Sequence, residues 1–140
     1  MFNNPSDDDI RQRLKQSRRI AVVGMSPNPA RPSFGVAKIM RAFGYSIVPV
    51  RPAVSEVLGE TAYPTLQAVP GRVDIVNVFR NASLLEPIVD ACIETGAPAL
   101  WIQEGIINEA AAERARAAGI WVVMDRCIYK DYVRLFRDQA

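Results

Sequence analysis

The apolar run RRIAVV, residues 18–23, leads into Gly24 and the loop GMSPNPARPSFG, which opens a helical pattern. A strand, a glycine turn and a helix start in that order suit anion binding. Main-chain N–H groups and the positive helix end converge there. Pro27, Pro29 and Pro32 carry no N–H, so the donors must come from the remaining residues, Met25, Ser26, Asn28, Ala30 and Arg31, and from the helix start at Ser33. The prolines also fix φ, which reduces the entropy lost when the loop orders around a ligand. Ser26 and Ser33 add hydroxyls, and the Arg31 guanidinium can meet phosphate oxygens in two places. Pyrophosphate binding by Gly24, Met25, Ser26, Arg31, Pro32 and Ser33 is the chemistry expected. The alternative is that Pro29 and Pro32 only stiffen a turn while Ser33 caps a helix.

Other strand ends add to the case. The second apolar run ends at Arg51-Pro52, where a NAD site would need an acidic residue for the ribose hydroxyl. Arginine there suits a ribose that carries a phosphate, as in NADP or coenzyme A. The third run ends in Phe79 and Arg80, a ring beside a guanidinium, which suits a base or a phosphate. The fourth ends in Gln103, Glu104 and Gly105, which offer amide and backbone groups to a polar chain. Each has a plainer alternative: an exposed arginine, a core phenylalanine, an ordinary turn.

Composition removes several classes. The 140 residues include no histidine, which excludes an imidazole base, a phosphohistidine or a His-ligated metal. Cys92 and Cys127 have no metal-ligand spacing. Cys92 falls on the buried stripe of a helix, and Cys127 just beyond the last strand, either as a small buried residue or as a reactive thiol. Asp125 beside Arg126 reads as a structural pair. The net charge is +2, and the cluster Arg11, Arg13, Lys15, Arg18 and Arg19 reads as a solvated helix face. No nucleic-acid or membrane partner is expected. The N-terminus lacks a signal-peptide layout, so the expected location is cytoplasmic.

The elements that must position these groups follow from periodicity. Gly44, Gly96 and Gly119 each precede an apolar run and mark helix ends. Five strands are expected at Arg19–Val23, Tyr45–Val50, Asp74–Phe79, Ala99–Ile102 and Ile120–Met124. Their lack of polar alternation suits a parallel sheet covered on both faces. Helices are expected at Ser33–Phe43, with Val36, Met40 and Phe43 inward, and at Leu84–Thr95 and Asn108–Ala118. A weaker helix is expected near Thr65–Val69. A Ser6-capped helix from Asp7 to Gln16 opens the chain, and one at Ile128–Arg137 closes it. The fold expected is α/β, a single Rossmann-like domain over 18–140 with an N-terminal helical extension over 1–17. The expected strand order is 3-2-1-4-5, with the ligand where the order reverses, between the first and fourth strands.

Taken in order, VVGMSPNPARPSFGV, GYSIVPVRP, VLGETAYPTL, VDIVNVFR, WIQEGI and GIWVVMDRCI resemble the small stand-alone CoA-binding proteins. Their domain is similar to the N-terminal CoA-binding domain of the succinyl-CoA synthetase alpha subunit. The resemblance implies that Gly24, Ser26, Arg31 and Ser33 hold the CoA pyrophosphate. It also implies that Arg51, Pro52, Phe79 and Arg80 lie at the adenosine phosphate end, and that Gln103 and Gly105 face the pantetheine arm. The chain departs from the family pattern at Arg51, where members usually carry asparagine, and at Glu104, where they more often carry an uncharged residue. A binding protein for CoA or acyl-CoA is the function expected. The alternatives are an NADP-linked reductase domain or a subunit of an acyl-CoA ligase. The roughly 16 residues after the fifth strand are too few for a reductase's substrate domain. A homodimer, joined through Trp121 and the last helix, or an unknown protein partner stays open.

Overall fold

The computed structural model describes residues 1–137. In chain order its elements are α1 (Asp7–Gln16), β1 (Arg19–Val23), α2 (Pro32–Ala42), β2 (Ser46–Val50), β3 (Glu56–Val57) and β4 (Glu60–Thr61). These are followed by β5 (Ile75–Val78), α3 (Leu85–Thr95), β6 (Ala99–Gln103), α4 (Glu109–Ala117), β7 (Trp121–Arg126) and α5 (Ile128–Phe136). The weak helix near Thr65 is one 3₁₀ turn, Leu66–Ala68, capped by the Thr65 hydroxyl.

β1, β2, β5, β6 and β7 form one parallel sheet, and β3 and β4 pair as a small antiparallel hairpin. Side chains alternate across the sheet, yet both faces are apolar. Val76, Leu100 and Val122 pack under α3 and α4 with Val89, Cys92, Ala111 and Ala115. Ile20, Ile75, Trp101 and Val123 face the other way, towards Ile10, Leu14, Met40 and Ile128 of α1, α2 and α5. That double burial explains the unbroken apolar runs. Burial pushes the Cys92 thiol up to about 12, as an inert core residue requires.

The strand order is β2-β1-β5-β6-β7, so the five main strands run 2-1-3-4-5 rather than the expected 3-2-1-4-5. Pro49 supplies the physical reason. Its carbonyl faces away from β1 and accepts from Tyr63 N at 3.0 Å, so its missing N–H lies on that outer side. Proline is tolerated on an edge strand and not within a sheet, so β2 takes the edge and β5 docks on the other side of β1. Asp74 fixes that junction, its Oδ2 accepting from the N–H groups of Arg18 and Arg19 at 2.9 Å each. The reversal therefore lies between β1 and β5, and Gly24 still sits at it.

Asp74 also sets a pH dependence. Burial pulls its carboxyl up, but the N–H groups of Arg18 and Arg19 and the Arg72 guanidinium outweigh this and hold it below the usual range. A depressed carboxyl contributes stability above its unfolded pKa of about 3.9, lost as pH falls through the folded value. Asp74→Asn is expected to flatten the acid limb of stability below about pH 4. Urea unfolding at pH 7 and at pH 3 checks it; an unchanged acid limb would count against this role.

In α2 the buried positions are Ser33, Ala37 and Met40. Phe43 is 37% exposed and stacks on Tyr132 at 4.4 Å, so of the expected stripe Met40 points inward, Val36 is partly buried and Phe43 lies at the surface.

Candidate functional site

The carboxyl ends of β1, β2, β5, β6 and β7 open into one cleft of about 930 Å³, the upper range for small-molecule sites. The loop after β1 provides Gly24, Ser26, Arg31, Pro32 and Ser33, and α2 adds Val36. Arg51 enters from β2, and Phe79, Arg80 and Asn81 from β5. Gln103, Glu104 and Ile106 follow β6, and Cys127, Tyr129 and Lys130 follow β7.

The loop is tied within itself. Ser26 N donates to Ser33 Oγ at 2.9 Å, Asn28 N to Ser26 Oγ at 3.0 Å and Ala30 N to Asn28 Oδ1 at 3.0 Å. Arg31 N donates to Asn28 O, and Phe34 N and Gly35 N to Arg31 O. Among the described residues, Met25 and Ser33 are the loop positions whose N–H groups have no protein acceptor. The expectation of a loop rich in free donors is corrected accordingly: internal bonds consume most of them, and side chains must do more of the binding. Ser33 does not cap the helix. Arg31 is the N-cap residue, Pro32 opens α2, and the Ser33 hydroxyl instead ties back to Ser26.

Gly24 has φ +84, and its N–H donates to Val50 O at 2.9 Å. A Cβ built there would lie 2.6 Å from Arg80 Cδ and 2.8 Å from Phe79 O. β5 neighbours β1, so the chain crosses directly over this glycine. Phe79 is partly buried against the core and also lines the cleft.

Charge is distributed unevenly around the molecule. From Arg11 to Arg134, every arginine pairs with a carboxylate, a carbonyl or an aromatic ring among the described residues, except Arg31, Arg51 and Arg80. Those three line the cleft. Its carboxylate, Glu104, is bound to Lys130 Nζ at 3.1 Å, and that contact raises the Lys130 pKa.

The cleft floor is polar and ordered. Asn77 Nδ2 donates to Gln103 Oε1 at 3.2 Å and to Trp101 O at 3.3 Å, and Ile128 N reaches the same Gln103 oxygen at 3.5 Å. This fixes the amide so that Gln103 Nε2 has no protein acceptor among the described residues, although the residue is only 6% exposed. No fully buried side-chain nitrogen or oxygen among the described residues lacks a partner, so Nε2 retains access through the cleft that Gln103 lines.

Three expected residues lie outside this cleft. Met25 is wholly buried in the core. Pro52 borders a neighbouring, more apolar hollow of about 320 Å³ that shares Gly24 and Arg80. The Gly105 N–H is taken by Asp125 Oδ1 at 2.8 Å. Asp125 therefore does not pair with Arg126, which grips Asp131 at 2.7 Å through two nitrogens. Sequence reasoning missed Tyr129 and Lys130 as lining residues. Their signal was the helix start after a strand end, the same signal that drew attention to the Gly24 loop.

Residues 18–132 match the model of a family described as a CoA binding domain. The protein YneT of Bacillus subtilis (strain 168) is 44% identical over 127 residues, which cover 91% of this chain and 94% of that protein. A solved structure of a hypothetical protein from Pyrococcus horikoshii OT3 superposes with a TM-score of 0.91 at 33% identity, covering 97% of this chain and 98% of that one. The ADP-forming acetate–CoA ligase I of Archaeoglobus fulgidus is 25% identical over 84% of this chain, but the match spans only 18% of the ligase.

Proposed function

The chain belongs to the CoA-binding domain family and is related to the CoA-binding part of acyl-CoA ligases; from that premise we propose that its cleft holds CoA or an acyl-CoA without turning it over. The observation that carries this is the set of otherwise unpartnered guanidinium groups, Arg31, Arg51 and Arg80, around one cleft. CoA brings a pyrophosphate and a sugar phosphate, which answer three cations in a way that an uncharged ligand does not. Ser26, Ser33 and Arg31 would hold the pyrophosphate against the start of α2. Arg51 on the edge strand would meet the 3′-phosphate, with Phe79 and Arg80 alongside. The uncharged arm would then cross β5 and β6, where Gln103 Nε2 offers a donor to an amide carbonyl. Glu104 is engaged by Lys130, and among the described residues no nucleophile stands beside a free base in the cleft, which favours holding over catalysis.

A thermal-shift series with CoA, acetyl-CoA, NADP and NAD tests the proposal. CoA at about 100 times Kd should add about 2.7 kcal/mol of stability, and stabilisation by NADP alone would overturn it. Arg51→Ala should weaken CoA by about 10- to 100-fold, the worth of one charged hydrogen-bonded contact, and leave dephospho-CoA nearly unaffected. Equal losses for the two ligands would show that Arg51 does not read the sugar phosphate.

A further inference from the structure

Cys127 is 6% exposed and lines the same cleft, at the far side of the sheet from Arg51. It is the N-cap residue of α5, and no side chain caps that helix. Beside it stands Gln103, whose amide oxygen is held by Asn77 and Ile128 while Nε2 remains free to donate. Gln103 is 6% exposed as a residue, and its amide nitrogen, without a protein acceptor among the described residues, opens only to the cleft, where it can donate to a ligand.

Distance makes the ligand's end specific. From β1 to β7 the sheet spans three strand spacings, about 14 Å. From its phosphate to its sulfur, the CoA arm runs about a dozen bonds, roughly 14 Å extended by the dimensions of a polypeptide with as many backbone bonds. With the pyrophosphate at the Gly24 loop, an arm bonded to Gln103 on the way delivers its sulfur to β7.

We propose that Cys127 exchanges with disulfides of CoA and captures CoA in this cleft as a mixed disulfide. The inference rests on the CoA-binding reading above. Cys127 gives its proton to solvent, and Sγ attacks the CoA sulfur of CoA–S–S–R. The Sγ–S bond forms as the original S–S bond breaks. R–S⁻ leaves with the electron pair and takes up a proton, so R–SH is the reduced product and the CoA disulfide is the oxidant. Negative charge spreads over the three sulfurs during exchange, next to the positive end of α5, while the Lys130 ammonium of the same cleft is paired with Glu104. A small thiol reverses the step. Cys92, wholly buried on the inner face of α3, takes no part.

The full chain is incubated with CoA disulfide and, separately, with glutathione disulfide at equal concentration, and intact mass is followed in time. The CoA adduct should form at least about tenfold faster, because binding raises the local concentration of the reagent. Excess acetyl-CoA should slow it, and dithiothreitol should remove it. Tandem mass spectrometry should locate it on Cys127 in the unaltered chain, and Cys127→Ser should form none. Equal rates with the two disulfides, or an adduct on Cys92, would overturn the inference. So would an unmodified Cys127 in a chain that CoA demonstrably stabilises, and in that case CoA binding itself stands. A chain that CoA does not stabilise removes the binding reading and this inference together.

Discussion

Gly24→Ala is expected to cost about 2–5 kcal/mol of stability and most of the proposed affinity for CoA. A left-handed φ of +84 charges a non-glycine residue about 1–2 kcal/mol. The new methyl would stand 2.8 Å from the Phe79 carbonyl, which belongs to the main chain and cannot swing aside. Overpacking of that kind adds about 1–3 kcal/mol. The melting temperature should fall by roughly 6–15 °C. Arg80, whose Cδ would be 2.6 Å away, would be pushed from the cleft, so binding should suffer beyond the loss of folded protein. Gly35→Ala is the internal comparison. That glycine lies within α2, with nothing within 4 Å of a built Cβ, and the change should stabilise by about 0.5–1 kcal/mol. Differential scanning calorimetry of both variants decides the matter: a Gly24→Ala chain as stable as the original would refute the close approach of β5 to the loop.

Asp131→Ala should be nearly as damaging, at about 2–3 kcal/mol. Asp131 is 3% exposed and accepts from Arg126 of β7 and from Arg134 within α5, while Arg134 also grips Asp7 of α1 at 2.7 Å. One carboxylate thus gathers two guanidinium groups and joins β7, α5 and, through Arg134, α1. Removing one partner of a buried pair costs about 3–5 kcal/mol; here the guanidinium groups are about a third exposed, so water offsets part of the loss. Urea unfolding measures it, and a change below 1 kcal/mol, roughly a surface pair's worth, would show that the network is dispensable.

The strands and helices were legible because each is a run of apolar residues bounded by a glycine or a cap. Asn108, whose side chain accepts from Ala111 N at the start of α4, is such a boundary. Strand order was not legible from periodicity, which records which faces are buried and not which edge a strand occupies. Yet Pro49 did carry that information: its absent N–H belongs on an outer edge. The shared cleft was legible where chemistry and position coincide: Arg31, Arg51, Arg80 and Gln103, each at a strand end or loop, do line it. It was obscure where a residue's partner is remote in the sequence. Nothing near Gly105 announces that its N–H will be taken by Asp125, twenty residues on. Nothing in the loop's own composition shows that Ser33 will fold back on Ser26 instead of capping α2.

The crossing of β5 over Gly24 also bears on the order in which the molecule matures. The turn after β1 is completed by Phe79 and Arg80, more than fifty residues downstream, so while the chain is being made it stays unfinished until that strand has emerged. Contacts of such long range are slow to close, so the turn takes its final shape only after β5 has docked against β1.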